Sequence, residues 1–224
     1  MTEPNQQTDS QRPNIILIMT DQQRYDTVAA WGHDYMITPN LDRLTAAGTS
    51  FGEAYCPGAT CIASRAAMFT AMWPHTTGVY TFDRWAEHRN WVQDLADAGY
   101  WCANIGKMHF SPRDVAGGFH ERVIVENPTS MNLLRGGADD DWGRWLGMHG
   151  VDRPLARNQT DPDWLAKHQG VPWQHDEDLH SDVFIGNAAL NWITRHDGGH
   201  YKSEHKGGRP VFLQVGFTGP HEPW

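Results

Sequence analysis

Cys61 and Arg65 stand four residues apart in the segment Cys61-Ile62-Ala63-Ser64-Arg65. Residues 62–72 are rich in Ala and Met and carry no helix breaker, so Cys61 falls at the expected N-terminus of a helix. Free backbone N–H groups and the helix dipole favour an anion at that position. Arg65 lies one turn on, along the same face, and can reach whatever Cys61 carries. Such a setting suits a thiol of lowered pKa or a nucleophile that handles an anion. Taken alone, it fits a buried structural cysteine with a surface arginine better. A thiolate phosphatase loop is disfavoured, because the arginine of such loops lies farther from its cysteine.

Three further groups of reactive side chains each follow an apolar run. Asp21 and Gln22 come directly after residues 14–20 (NIILIMT). Lys107 and His109 lie in Gly106-Lys107-Met108-His109, after residues 100–105. His221 lies in Gly219-Pro220-His221, after residues 210–216 (PVFLQVG). The three runs are short and mainly apolar, the first of them rich in Ile, which predicts strands buried on both faces of a parallel sheet. In open α/β sheets ligands bind beyond the carboxyl ends of the strands. Polar residues often follow strands, so none of these groups is persuasive singly. Gathered on one sheet edge, they bring together an acid, an ammonium group and two imidazoles.

The elements that must position them alternate between strand and helix. Thr38-Pro39 opens a helix with Thr38 as N-cap, Leu41, Leu44 and Thr45 share one face, and Gly48 closes it. Trp91, Leu95 and Ala98 sit at helical spacing before Gly99, and residues 182–195 form a helix patterned through Val183, Ala189, Leu190 and Ile193. Residues 49–54 are expected to form a short strand. The fold class is therefore α/β, with a largely parallel central sheet and helices on both faces. Residues 1–12 read as a disordered lead-in, 13–224 as the catalytic-domain portion, and 113–180 as an elaborated loop or cap region of weak periodicity. Within that region Asp139-Asp140-Asp141 reads as a solvated acidic loop, and Trp142, Trp145, Trp164 and Trp173 as packing residues. Cys56 and Cys102 are likewise expected to pack. His196, His200 and His205 lack metal-site spacing and take no role.

Composition narrows the function classes. With 18 Lys and Arg against 27 Asp and Glu, the net charge of −9 disfavours a nucleic-acid partner. Three cysteines in 224 residues exclude a disulfide framework. No apolar run approaches the roughly 20 residues of a membrane span. The polar first dozen residues and the odd cysteine count point to a cytoplasmic protein. The chain stops at Gly219-Pro220-His221-Glu222-Pro223-Trp224, just past an apolar run, which reads as a cut through a domain.

Five motifs, in order, carry a family resemblance: RPNIILIMTDQQR, TPNLDRL, CIASRAAMFTAMWPHTTGV, GKMH and GFTGPH. The chain resembles the N-terminal part of the type I sulfatases, firmly at both ends and loosely across 119–178. In that family the cysteine of C-x-(P/A)-x-R is oxidised to formylglycine, whose hydrate is the nucleophile. The resemblance implies that Cys61 is this residue and that Arg65 holds its hydrate. Asp21 and Gln22, with the oxidised Cys61 side chain, would ligate a divalent metal, most commonly calcium, with manganese, magnesium and zinc as alternatives. Lys107 would bridge nucleophile and sulfate, His109 would help expel sulfate, and His221 would assist the leaving alcohol. The implied partners are a small-molecule sulfate ester and a formylglycine-generating maturation enzyme; a homo-oligomer is left open.

Two positions depart from the commonest family pattern. Ala63 stands where proline is usual, and Gln22 where many sulfatases carry a second Asp. Gln22 lowers the charge of the metal site by one, and an Asp-Gln pair also resembles the phosphonate monoester hydrolases. Sulfate monoester hydrolysis is therefore the leading expectation, with phosphonate or phosphate ester hydrolysis on the same scaffold as the alternative. In the family, further metal ligands and a second lysine come from later strands, so an inactive fragment lacking those C-terminal ligands is a third reading.

Overall fold

The structure is a computed structural model that describes residues 12–126, 140–154, 163, 172–197 and 209–221. Its centre is a four-stranded sheet: β1 (Ile15–Met19), β2 (Trp101–Gly106), β3 (Glu121–Ile124) and β4 (Val211–Gly216). The order is β1-β4-β2-β3, and every pairing is parallel. The last strand in the chain thus enters between the first two. The shared register sets Met19 opposite Gly216, and Gly216 opposite Gly106, so three strands end at one level.

Helices cover both faces, as the strand alternation requires. On one face Cys102 and Phe212 meet Ile62, Ala66 and Phe69 of α2 (Cys61–Thr70) and Val92 of α4 (Trp91–Asp97). A single-turn α3 (Pro74–Thr77) follows α2. On the other face Ala103, Ile105, Leu213 and Val215 meet Ile185, Ala189 and Trp192 of α6 (Ser181–Asp197) and Trp142 and Leu146 of α5 (Asp141–Met148). The buried face of α6 therefore runs through Ile185, Ala189 and Trp192, whereas Leu190 is exposed. The helix starts are locally encoded. Asn90 and Gln93 form a reciprocal capping box at α4, and Asp140 caps α5 by accepting from Gly143 N.

Several sequence expectations are revised. Among the described residues β1 lies at one edge of the sheet, and Ile16 and Ile18 are 53% and 60% exposed, because α5 and α6 cover β2 and β4 but not this face of β1. α1 (Pro39–Ala47) buries no residue; Thr38 is its N-cap as expected, but its hydroxyl donates to Asp42 and accepts from Ala29 N instead of capping the helix amides. Residues 49–54 form no strand. The 113–180 region contributes β3 and α5 to the core, and Asp140 is buried in an ion pair with Arg153. Of the polar lead-in only Arg12 is described, its guanidinium donating to Ala98 O. Asp139, Trp164, His200 and His205 lie outside the described residues. Among those described, no helix is long and apolar enough to cross a membrane.

Candidate functional site

The carboxyl ends of β1, β4 and β2 remain tied beyond the strands. Phe217 N donates to Met19 O at 2.8 Å, Asp21 N to Gly219 O at 3.0 Å, and Lys107 N to Gly216 O at 2.7 Å. This closeness demands glycine at 216: a Cβ there would stand 2.2 Å from Lys107 O, a backbone atom that cannot yield. Asp182, in the first turn of α6, fixes the turn that carries His221. Its Oδ1 accepts from Thr218 N, Thr218 Oγ1 and Gly219 N, at 2.9–3.1 Å. Asp21 and His221 are thereby joined through one clamped turn.

Asp21 lies at the centre of a buried charge cluster. Its Oδ2 pairs with Lys107 Nζ and, at 3.2 Å, with Arg65 Nη2. Arg65 Nη1 also donates to Lys107 O at 2.7 Å. The three residues are 6%, 3% and 0% exposed for Asp21, Arg65 and Lys107. Burial alone would raise the Asp21 pKa, but Lys107 and then Arg65 override it and hold the carboxyl below its ordinary value. Deeper in the sheet, Gln214 Nε2 donates to Lys107 O, and Asn104 donates to Gln214 Oε1.

Cys61 opens α2 as the sequence predicts, with Thr60 as N-cap accepting from Ala63 N. Asp21, Gln22, Cys61, Arg65 and His221 line one cavity of about 480 Å³. Lys107 is wholly buried and joins this set through Asp21. His109 joins it from the side, its ring edge-on to Phe82, which lines the cavity, with centroids 6.1 Å apart. Gln22 and His109 both hold left-handed backbones, at φ 60, conformations that non-glycine residues adopt mostly where the surroundings impose them. Burial, then Lys107 and Arg65, push the His109 pKa down to about 3, so the ring is neutral. All seven sequence-predicted residues are thus brought to one edge of the sheet.

Other residues belong to this site that local pattern did not indicate. Cys56 is exposed rather than packed, lines the cavity, and donates to Gly58 O at 2.7 Å. Phe82 contributes an aromatic wall, 72% exposed. Asp182 looks in sequence like an ordinary first-turn acid. Cys102 is buried, and burial pushes its thiol up to about 11, so it packs as expected.

The donors suit a hard divalent cation in kind. Asp21 Oδ2 is taken by the two cations, while Oδ1 makes no hydrogen bond among the described residues; Gln22, which carries an amide oxygen, lines the same cavity. Two oxygens fall short of the roughly six to eight that calcium takes. Among the described residues no three His, Cys, Asp or Glu side chains gather to hold a metal, so other ligands must complete the sphere.

The two pKa shifts predict acid lability. Unfolded His109 binds a proton near 6.5, while folded His109 resists it down to about 3, so stability falls as pH drops through that window. The Asp21 contribution is present above its ordinary value of 3.8 and is lost as pH falls through its lower folded value. Unfolding free energies from urea titration should decline from pH 7 to pH 4, with a slope of at most about 1.4 kcal/mol per pH unit for each proton. His109→Gln should flatten the upper part of that decline. A profile independent of pH over this range would contradict the buried neutral imidazole.

Residues 13–224 match the model of the family described as Sulfatase. The chain is 29% identical to an arylsulfatase of Clostridium perfringens, the match covering 95% of this chain and 44% of that protein. It is 28% identical to a choline-sulfatase of Rhizobium meliloti, covering 95% of this chain and 39% of that one. In fold it is similar to the phosphonate monoester hydrolase of Agrobacterium radiobacter, with a TM-score of 0.66, 22% identity, and coverage of 95% and 42% of the two chains. The chain spans about two fifths of the length of these relatives.

Proposed function

The chain belongs to the sulfatase family, and from that premise we propose that it hydrolyses sulfate monoesters with an oxidised Cys61 as nucleophile. The observation that carries this reading is the convergence of Cys61, Arg65, Asp21 and His221 on one cavity, with Lys107 buried against Asp21. A sulfate monoester resists attack because nucleophile and substrate are both anionic. Arg65 and Lys107 bring two cations to the Asp21 carboxylate beside the cavity, where positive charge can offset that of the sulfate. A divalent cation, calcium by family precedent, would be held by Asp21 Oδ1 and the Gln22 amide oxygen and, when bound, supplies further positive charge.

Cys61 is converted to formylglycine by a maturation enzyme, and the aldehyde hydrates to a geminal diol. One diol oxygen would bond to sulfur while the bond from sulfur to the ester oxygen breaks; His221 would give that departing oxygen a proton and regain one, through solvent, from the attacking hydroxyl. His109, neutral in its buried setting, takes the proton from the second hydroxyl. The carbon–oxygen bond to sulfate then breaks, and the aldehyde is restored for rehydration. Two easier steps replace one difficult displacement.

Mass spectrometry of the Cys61 peptide, from a host able to make formylglycine, tests the nucleophile. Loss of the thiol in favour of the aldehyde is expected; an unmodified thiol would falsify the formylglycine step. Gln22 supports a second reading, hydrolysis of phosphonate or phosphate esters, because its neutral oxygen leaves a less negative site. Side-by-side turnover of an aryl sulfate and a phenylphosphonate ester separates the two, with the sulfate expected to have the higher kcat/KM.

A further inference from the structure

Glu126 follows β3 and lies beside the loop that carries His109, because β3 pairs in parallel with β2 and sets Ile124 opposite Gly106. Its carboxyl Oε1 accepts the main-chain N–H of His109 at 2.8 Å. His109 O accepts from the indole Nε1 of Trp85, itself wholly buried, at 3.0 Å. Both backbone polar groups of the left-handed His109 are therefore held by side chains rather than by regular structure. The ring Nδ1 is buried and makes no hydrogen bond among the described residues, so no polar partner there orients the imidazole through that atom.

Glu126 is itself anchored. Its N–H donates to Asp140 Oδ2 at 2.8 Å, and its carbonyl accepts from Arg153 Nη2 at 2.7 Å. Asp140 in turn caps α5, and Arg153 lies over the Trp142 ring, 4.9 Å from its centroid. A continuous set of contacts runs from α5 to the His109 amide. Glu126 does not line the cavity. Burial raises its pKa, although Lys107, the His109 amide and Arg65 each pull it the other way.

Resting on the sulfatase reading of this site, we propose that Glu126 is a positioning residue that sets the His109 imidazole for the sulfate-release step by holding its main-chain amide in the left-handed conformation. The required property is an acceptor oxygen at this distance, which glutamine also supplies and leucine does not.

The test combines amide hydrogen exchange at His109, read by NMR, with steady-state turnover of a nitrophenyl sulfate by the full, matured chain. In Glu126→Leu, exchange at His109 should quicken by about tenfold or more, and kcat should fall by about 10–100-fold with KM within about twofold. Glu126→Gln should restore both to within about threefold of wild type, a rescue that follows from the shared acceptor oxygen. In a His109→Ala background, Glu126→Leu should have no further effect on kcat. If Glu126→Leu fails to fold, Glu126→Asp, which withdraws the carboxyl, should show faster exchange and lower kcat in its place. Unchanged exchange at His109, unchanged kcat, or additive losses in the double variant would each overturn the proposal. If the wild type turns over no sulfate ester, the sulfatase reading fails, while the exchange measurement still decides whether Glu126 holds the amide.

Discussion

Asp21→Asn is expected to destabilise the protein by about 3–5 kcal/mol, an outsized effect for exchanging one carboxylate oxygen for an amide. Lys107 and Arg65 share that carboxylate, and neither cation is more than 3% exposed. Removing the negative charge takes from two buried cations the carboxylate they share, which leaves more of their mutual repulsion and lost hydration uncompensated. Lys107→Met should cost less, because Arg65 still balances Asp21 and a methionine fills much of the lysine volume. The order of the two variants is the diagnostic, read as urea unfolding at pH 7 with a chelator present. An asparagine variant as stable as wild type, or more stable than Lys107→Met, would contradict a cluster held by one shared carboxylate. Inorganic sulfate that binds beside these cations should raise the Tm of the wild type, an effect of ligand binding to the native state alone.

Cys61→Ala should leave the fold intact and abolish turnover. Cys61 occupies the first position of α2, where alanine is a good helix former, and the cap is supplied by Thr60. Stability should therefore stay within about 0.5 kcal/mol of wild type. Removing the nucleophile from a covalent mechanism typically leaves only the rate that binding and electrostatics provide, so kcat for an aryl sulfate should drop by at least about 10⁴-fold. Retention of more than a hundredth of the wild-type rate would show that Cys61 is not the nucleophile. The contrast with Asp21→Asn is physical: one side chain carries chemistry at little cost to folding, and the other holds together a buried charge cluster that the fold itself requires.

The legible parts of this site were those announced by short-range pattern. An uninterrupted apolar run ending in Asp21-Gln22 reads as a strand with a polar terminus, and Cys61 before an Ala- and Met-rich stretch reads as a helix start. Strand periodicity also placed Lys107, His109 and His221 at strand ends. The errors arose where tertiary contact overrides local preference. Ile16 and Ile18 look fully buried in sequence, yet among the described residues β1 lies at an edge and no helix covers this face of it. β3 and α5 were hidden in a stretch dense in Gly, Pro, Asp and Trp, because four- and eight-residue elements show too little periodicity to stand out.

What the sequence determined by itself was therefore the inventory: an α/β chain, its reactive side chains, and their placement at the ends of strands and at one helix N-terminus. Backbone periodicity and capping depend on neighbours within a turn or two, and those neighbours are written consecutively. Only the tertiary structure decided which side chains meet. It set β4 between β1 and β2, brought Gly216 against Lys107, gave Arg65 and Lys107 one carboxylate to share, and turned Asp182 and Glu126 toward the backbones beside His221 and His109. Such pairings join residues far apart in the chain, such as Met19 and Gly216. They are selected by the packing of whole sheet faces and by the cost of burying an unpaired charge, which no local stretch of sequence encodes.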